Sequence, residues 1–255
     1  MTLVFDIGNS NVVACTYCLD ANGNYHWKEL LRVKTDTSKQ YYNWLLDVNY
    51  FISDYSDKIS KIVISSVVPG LNETFAKISL DLFAIEAVFI DYKLYSKLPL
   101  KIPQPRIIGA DIVGNALAGF SRYGDGCIIA DFGTVLTFTT VFDAEIQGVT
   151  FVPGINTALK SLDDKTAQLP LVRLSMPQSV IGKNTNDAIV GGIVFGYSGL
   201  VDRIIEQICY ETQRDFTLLS TGGLGNIIQP YCKSKLNYDL HLTIDGIRLI
   251  SEYNM

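Results

Sequence analysis

Two short turns, each preceded by an aspartate, have residue types suited to holding the phosphates of a nucleotide. The first reads Asp6-Ile7-Gly8-Asn9-Ser10-Asn11 and the second reads Asp131-Phe132-Gly133-Thr134. Small residues let backbone N–H groups approach phosphate oxygens, and nearby hydroxyls and amides can donate hydrogen bonds. The carboxylates would repel phosphate, so Asp6 and Asp131 are better suited to hold Mg²⁺, a monovalent cation or bound water. Together the turns predict a site for a polyphosphate.

The elements around the two turns repeat in the same order. Residues 3–5 and 12–17 are predicted strands beside the first turn, and residues 127–130 and 135–142 are predicted strands beside the second. Each half later contains a strand that runs into a turn of small residues. This repetition indicates an internal duplication, and we expect an α/β protein with halves at residues 1–108 and 109–255.

Composition and charge restrict the class of protein. A chain of 255 residues with 48% hydrophobic residues can bury a large core, at the length where one core usually divides in two. The net charge of −5 and the absence of a basic run argue against a nucleic acid partner. The acidic Asp6 interrupts the position of a secretion signal, and no uninterrupted apolar stretch reaches membrane-spanning length. We therefore expect a cytoplasmic protein with no membrane partner.

Cysteine and histidine offer little catalytic or metal-binding chemistry. Cys15 and Cys18 form a CxxC pattern, but they lie in a predicted strand, where residues three apart point to opposite faces. The chain has five cysteines and only two histidines, His26 near a turn and His241 near a predicted C-terminal strand. We expect reduced thiols and structural or solvent-exposed histidines.

Eight motifs, in order along nearly the whole chain, are similar to those of the type III pantothenate kinases. They are Asp6-Ile7-Gly8-Asn9-Ser10-Asn11, Ser65-Ser66-Val67-Val68-Pro69, Gly109-Ala110-Asp111, Asp131-Phe132-Gly133-Thr134, Pro153-Gly154-Ile155, Leu169-Pro170, Gly182-Lys183-Asn184-Thr185 and Thr221-Gly222-Gly223. The resemblance implies duplicated ribonuclease-H-like (actin-like ATPase) domains, each a mixed sheet flanked by helices, with an ATP cleft between them. It also implies ATP-dependent phosphorylation of pantothenate to 4′-phosphopantothenate, the first step of coenzyme A biosynthesis, by a homodimer.

The resemblance also implies roles for individual residues. The ATP phosphates would lie against the first turn and the start of the strand after it, and Thr134 would be a second ATP contact. The residues of the first ATP contact would be Asp6, Ile7, Gly8, Asn9, Ser10, Asn11, Val12 and Val13. Asp131 would bind a monovalent cation, K⁺ or NH₄⁺, and Mg²⁺ would accompany ATP. Substrate positions would be Ile102, Gly109, Ala110, Ile112 and Thr185. Asp111 would accept the proton of the attacking alcohol, although it could also cap a helix over residues 112–120.

Apart from Ser10, which replaces a threonine in the first turn and keeps the hydroxyl, four positions depart from the family pattern, mainly on the substrate side. Ile102 stands where the family has a tyrosine, Gln104 where it has an asparagine, Ile112 where it has an arginine, and Thr139 where it has an acid. Loss of a charged donor to a substrate typically weakens binding by about 1.5–3 kcal/mol. Three hypotheses follow: a pantothenate kinase with altered substrate contacts, a kinase of another small alcohol, or a noncatalytic or regulatory nucleotide-binding relative.

Overall fold

The computed structural model describes residues 1–19, 25–165, 169–170 and 172–255. Its strands in chain order are β1 Thr2–Ile7, β2 Asn11–Leu19, β3 Tyr25–Lys34, β4 Lys61–Ser66, β5 Val88–Phe89, β6 Cys127–Phe132, β7 Val135–Phe142, β8 Glu145–Pro153, β9 Thr217–Thr221 and β10 Asn237–Tyr238. Its α-helices are α1 Tyr41–Ile52, α2 Pro69–Phe83, α3 Ala110–Tyr123, α4 Ile155–Lys165, α5 Thr185–Thr212, α6 Gly225–Ile228 and α7 Leu242–Glu252.

The strands form two five-stranded sheets with the same topology. The first has the order β3-β2-β1-β4-β5, and the second, β8-β7-β6-β9-β10, repeats it position by position. In both sheets the first three strands along the chain are antiparallel neighbours, and the last two join in parallel. The predicted duplicated ribonuclease-H-like fold, with mixed sheets flanked by helices, is therefore confirmed.

The chain packs as two compact units. The first comprises Met1–Ala118 together with His241–Met255, and the second comprises Gly119–Leu240. From the sequence we expected halves at residues 1–108 and 109–255. That boundary follows the repeat of elements rather than the packing, and it stays a prediction. Each unit is described below by itself.

In the first unit, α1 and α2 cover one face of the sheet. Phe5 of β1 meets Phe75 of α2 with ring centroids 5.3 Å apart, and Trp44 of α1 lies 5.4 Å from the same ring. All three side chains are fully buried. Such apolar burial is the main force that fixes β1, and with it Asp6, in the centre of the sheet.

The C-terminal helix α7 was not predicted from the sequence, which suggested a strand near His241. It packs against α3 at a contact of two glycines. A Cβ on Gly246 would lie 1.9 Å from the carbonyl oxygen of Gly114, so only glycine allows the two backbones to come this close. Helix α7 thereby supports the helix that carries Asp111.

In the second unit, α5 packs into the core beside β6 and β7. Its length and apolar composition alone would let it cross a membrane, but 44% of its most apolar window is buried within the protein. Val194 and Val201 belong to the same hydrophobic cluster as Ala130 and Phe138 of the sheet. The core helix of a protein can have the same length and composition as a membrane-spanning helix. Because α5 packs in the core of the second unit, its apolar composition is explained without a membrane.

The cysteines of the described ranges are free thiols. Cys15 is buried, whereas Cys18 on the same strand is half-buried and lies beside His26 across the hairpin, with Sγ 3.5 Å from Nε2. Both CxxC residues lie in the strand β2, as expected from the sequence. Burial raises the pKa of Cys15 to about 12.

Candidate active site

The first turn begins at Asp6, near the end of the central strand β1. The N–H of Gly8 donates to the carbonyl oxygen of Asn11 at 3.0 Å, which closes the turn. Thr35, directly after β3, holds the turn from the side: its N–H donates to Ser10 O at 3.0 Å and its hydroxyl donates to Gly8 O at 2.6 Å. The turn therefore depends on a residue distant in the sequence.

The eight residues predicted to bind ATP phosphates differ in their burial. Ile7, Val12 and Val13 are buried in the protein, so their side chains pack inward. Asn9, Ser10 and Asn11 are exposed. Only this exposed set, with the backbone of Gly8 and the half-buried Asp6, can present polar groups to a ligand.

The second turn, Gly133-Thr134, joins β6 to β7 and is exposed. The carbonyl oxygen of Thr134 accepts two hydrogen bonds, from Gly154 N at 3.2 Å and from Thr157 Oγ1 at 3.0 Å. A Cβ on Gly154 would lie 2.2 Å from that oxygen, so no side chain fits there. This contact explains the glycine of the Pro153-Gly154-Ile155 motif, and Thr134 itself is exposed.

Asp131 lies near the end of β6, the strand that corresponds to β1. It is half-buried, in register with Thr137 on β7 and with Thr221 on β9. A Cβ on Gly222 would be 2.8 Å from Asp131 Oδ1, and Gly222 has φ of 87°, a conformation that favours glycine. The turn after β9 thus leaves room for the carboxylate, an arrangement that fits a cation ligand.

Asp111 lies in the first turn of α3, which begins at Ala110. The helix therefore starts two residues earlier than the predicted 112–120, and Asp111 does not precede it as a cap. Its Oδ1 nevertheless accepts the N–H of Ile112 at 2.9 Å. A Cβ on Gly109 would be 2.3 Å from the same oxygen, so glycine is required for the carboxylate to fold back over the helix start.

Burial raises the pKa of the Asp111 carboxyl, and hydrogen bonds from the backbone N–H groups of Ile112 and of Asp111 itself partly oppose the shift. A higher pKa makes Asp111 a stronger proton acceptor than an ordinary aspartate once it is ionised. A base of this kind suits abstraction of a proton from an alcohol.

The substrate-side departures have distinct structural settings. Ile112 is buried and Ile102 is half-buried, so both are available for apolar packing. Gln104 is exposed and has φ of 51°, in the left-handed region that asparagine tolerates better than glutamine. The backbone conformation at this position therefore explains why the family pattern has asparagine, and glutamine adopts that conformation less readily.

Tyr95 was missed by the sequence analysis. It is buried in the first unit, and burial, followed by the charges of Asp111 and Asp91, raises its pKa. The phenol is therefore a neutral group within electrostatic reach of Asp111. No motif marks it, and only the fold brings residue 95 close to residue 111.

Thr185, the predicted substrate contact, is the first residue of α5 in the second unit. It is exposed and borders a cavity of about 310 Å³ whose other lining residues are mostly apolar: Leu162, Leu169, Ala188, Ile189, Gly192 and Ile193. Asn184 caps the helix by accepting the Asp187 N–H at 2.9 Å. A relation between Thr185 and the residues around Asp111, which belong to the first unit, stays a prediction.

Within the described residues, no group of three histidine, cysteine, aspartate or glutamate side chains could hold a metal ion. Asp6 and Asp131 each lie near the end of a strand, beside a turn.

Known proteins similar to this chain agree on one family. The model of the type III pantothenate kinases matches residues 2–207. The type III pantothenate kinase of Geobacter sp. (strain M21) is 36% identical over 262 aligned residues that cover all of both chains. That of Koribacter versatilis (strain Ellin345) is 35% identical, with all of this chain and 96% of that protein covered.

The fold comparison is consistent with this result. A conserved protein of Campylobacter jejuni, which carries the name of the Baf family of transcriptional activators, superposes with a TM-score of 0.56 and 21% identity over 99% of this chain and 98% of that chain. This likeness shows a shared fold. The match of the family model over most of the sequence, with full-length relatives above 30% identity, shows that the chain belongs to the type III pantothenate kinase family.

Proposed function

We propose that this protein transfers the γ-phosphoryl group of ATP to the primary alcohol of pantothenate, giving 4′-phosphopantothenate. Family membership supports the reaction, and the carboxylate of Asp111, held over Gly109 in the first turn of α3, is the observation that carries it. Phosphoryl transfer needs mainly positioning and charge stabilisation. A base at Asp111 and phosphate contacts from the turns would supply these together with Mg²⁺.

Asp111 is the proton acceptor in this proposal. The primary alcohol is a weak nucleophile, and a carboxylate within hydrogen-bond reach orients it and takes its proton late in a loose transition state. The raised pKa of Asp111 improves the match between base and alcohol. By the resemblance to the family, Gly109 and Ala110 would line the pantothenate pocket and Thr185 would contact the substrate.

The two turns would hold the ATP phosphates. Backbone N–H groups and the exposed side chains of Asn9, Ser10 and Asn11 would serve the first turn, and the Thr134 hydroxyl would serve the second. Asp6 would help to hold the Mg²⁺ that accompanies ATP. When bound, Mg²⁺ neutralises charge on the β- and γ-phosphates.

Further parts of the proposal rest on the resemblance to the family. Asp131 would bind a monovalent cation, K⁺ or NH₄⁺, and the protein would act as a homodimer in the cytoplasm. The net charge of −5 is consistent with a protein that does not bind nucleic acid.

The substrate-side departures favour a second candidate. Ile112 is a buried apolar side chain at the position of the family's arginine, so it supplies no hydrogen bond to a substrate. A noncatalytic or regulatory nucleotide-binding relative, or a kinase of another small alcohol, would follow if pantothenate no longer binds. Measuring ATP turnover with and without pantothenate distinguishes a noncatalytic relative from a pantothenate kinase. Measuring ATP turnover with a panel of small alcohols identifies a kinase of another substrate.

The direct test of the mechanism is Asp111→Asn. The amide keeps the size of the side chain and still accepts the Ile112 N–H, but it cannot take up the alcohol proton. We expect loss of pantothenate phosphorylation with unchanged ATP binding, measured by a coupled assay and by calorimetric titration.

Asp91→Asn is the matched control. Asp91 is also an acid near Tyr95, but its Oδ1 accepts the N–H of Lys93 at 2.7 Å at the start of a short 3-10 helix. This variant should keep its turnover. Normal turnover in Asp111→Asn would remove Asp111 from the mechanism.

A further inference from the structure

Three threonine hydroxyls of the second sheet are buried without a hydrogen-bond partner in the part of the chain that the structure describes. They belong to Thr137, Thr139 and Thr221. Each side chain is at least nine-tenths buried, at 8%, 1% and 1% relative exposure. An unsatisfied buried hydroxyl typically costs about 1–3 kcal/mol. Three such groups on one sheet indicate that this region is completed by a polar ligand.

Strand register places two of these hydroxyls on either side of Asp131. Residues paired across neighbouring strands project from the same face of a sheet. Asp131 pairs with Thr137 on β7 and with Thr221 on β9, which gives a row Thr221, Asp131, Thr137. Thr139 projects from the same face but pairs with Ile129, two residues or roughly 6.6 Å further along the strand.

The sign of the central charge decides what the row can bind. A hydroxyl oxygen can accept from a donor or ligate a cation, or it can donate to an anion. The carboxylate between the two hydroxyls would repel a phosphate and attract a cation. One negative charge with neutral oxygens balances a singly charged ion, whereas protein sites for divalent ions usually have more carboxylates.

The spacing of the row also suits an ion. Neighbouring strands lie about 4.7–4.9 Å apart, whereas a direct hydroxyl–carboxylate hydrogen bond needs oxygens within about 2.5–3.0 Å. A cation between the strands can bridge oxygens that are too far apart to bond to each other. Asp131 is only half-buried, which leaves an approach to the row from its side.

We propose that the hydroxyls of Thr137 and Thr221 join the Asp131 carboxylate as oxygen ligands of the monovalent cation. This inference rests on the proposed function only for the identity of the ion, because the resemblance assigns a cation to Asp131 but gives no role to either threonine. Gly222 is a positioning residue for the site, since its missing Cβ leaves space for Asp131 Oδ1.

The test measures cation-dependent thermal stability rather than catalysis alone. The melting temperature of the full chain is compared in KCl and in choline chloride at equal ionic strength, with and without Mg-ADP. K⁺ should stabilise the wild type, because a ligand that binds only the folded state raises its stability. Thr137→Val and Thr221→Val should each weaken K⁺ binding by about tenfold or more, which would suppress the K⁺-specific rise.

The matched control is Thr139→Val, which removes an equally buried, unpartnered hydroxyl outside the row. Each of the three valine variants should be at least as stable as the wild type in choline, because each loses an unsatisfied hydroxyl while keeping its shape. Only Thr139→Val should keep the full response to K⁺.

Two outcomes overturn the inference: a wild type with no K⁺-specific rise in either condition, or Thr137→Val and Thr221→Val variants that respond like the wild type. Pantothenate phosphorylation by the same wild-type preparation is measured separately. Phosphorylation with an unaltered K⁺ response in the variants refutes the ligand assignment alone. The opposite result is also informative. If the wild type does not phosphorylate pantothenate but the two threonine variants lose the K⁺-specific rise in melting temperature, the cation site is supported and the proposed function is refuted.

Discussion

The turn after β1 and the turn after β6 occupy equivalent positions in two sheets of the same topology, and both are held in the same way. In each unit the residue directly after the third strand bonds to the turn: Thr35 donates to Ser10 O at 3.0 Å, and Gly154 donates to Thr134 O at 3.2 Å. A threonine hydroxyl adds a second bond in both cases, from Thr35 itself or from Thr157. The duplication has thus retained the backbone support of both turns.

The side chains beside the two aspartates differ. Asp6 is in register with the apolar Val13 and with Ser65, whereas Asp131 is in register with two buried, unpartnered threonines, Thr137 and Thr221. Equivalent backbone positions therefore carry different chemical surroundings. This difference supports separate tasks for the two carboxylates, with Mg-ATP at Asp6 and a monovalent cation at Asp131.

The largest expected effect comes from breaking the support of the second turn. In Gly154→Ala the new Cβ would lie 2.2 Å from Thr134 O and 2.5 Å from Gly133 O, both backbone atoms that cannot rotate away. We expect a loss of about 3 kcal/mol in stability, the upper part of the usual range for overpacking, together with loss of ATP binding. Denaturant unfolding and nucleotide titration measure both.

Gly148→Ala, in the adjacent strand β8, is its control because a Cβ there meets no atom within 4 Å. This variant should remain near wild type in stability and in ATP affinity. Equal behaviour of the two variants would refute the support role of Gly154.

The next prediction separates the two aspartates. Asp131→Asn should lower turnover by about ten- to hundredfold and abolish the difference between K⁺ and choline, because the amide does not neutralise a cation. Asp6→Asn should also lower turnover, but its residual rate should still depend on K⁺. Steady-state rates in the two salts distinguish these responses, and loss of K⁺ dependence in both variants would contradict the division of tasks.

The smallest effects come from the hydroxyls that hold the turns. Thr35→Val removes a 2.6 Å bond to Gly8 O that is partly buried, and Thr157→Val removes an exposed 3.0 Å bond to Thr134 O. Each bond is worth about 0.5–1.5 kcal/mol. We expect a severalfold rise in the KM for ATP, larger for Thr35→Val, with little change in kcat. A larger effect of Thr157→Val would mean that the second turn carries more of the ATP binding.

Much of the fold could be predicted from local patterns. The strands beside the turns have continuous or alternating apolar residues, and the repeated aspartate turns marked the two halves before the sheet order was known. Helix α7 could not be recognised, because Ile244, Ile247 and Ile250 are β-branched residues that favour strands unless tertiary packing supports a helix. That packing comes mainly from β1 and β4 of the first sheet, and Gly114 and Gly246 bring the helix close to α3.

Less of the candidate site could be predicted from the sequence. Asp111 could be identified from its motif, but its position inside α3 and the proximity of Tyr95 depend on packing between segments distant in the chain. The row Thr221, Asp131, Thr137 requires strand register, and a one-residue slip would place its members on opposite faces. Sequence spacing does not determine that register.

The central claim is that this chain phosphorylates pantothenate, and direct detection of the product tests it best. Wild-type protein is incubated with pantothenate, Mg-ATP and K⁺, and ³¹P NMR and mass spectrometry follow the phosphorus-containing products. We expect equal amounts of ADP and 4′-phosphopantothenate, with neither formed by Asp111→Asn. Intact ATP binding without any pantothenate-dependent ADP formation would contradict it.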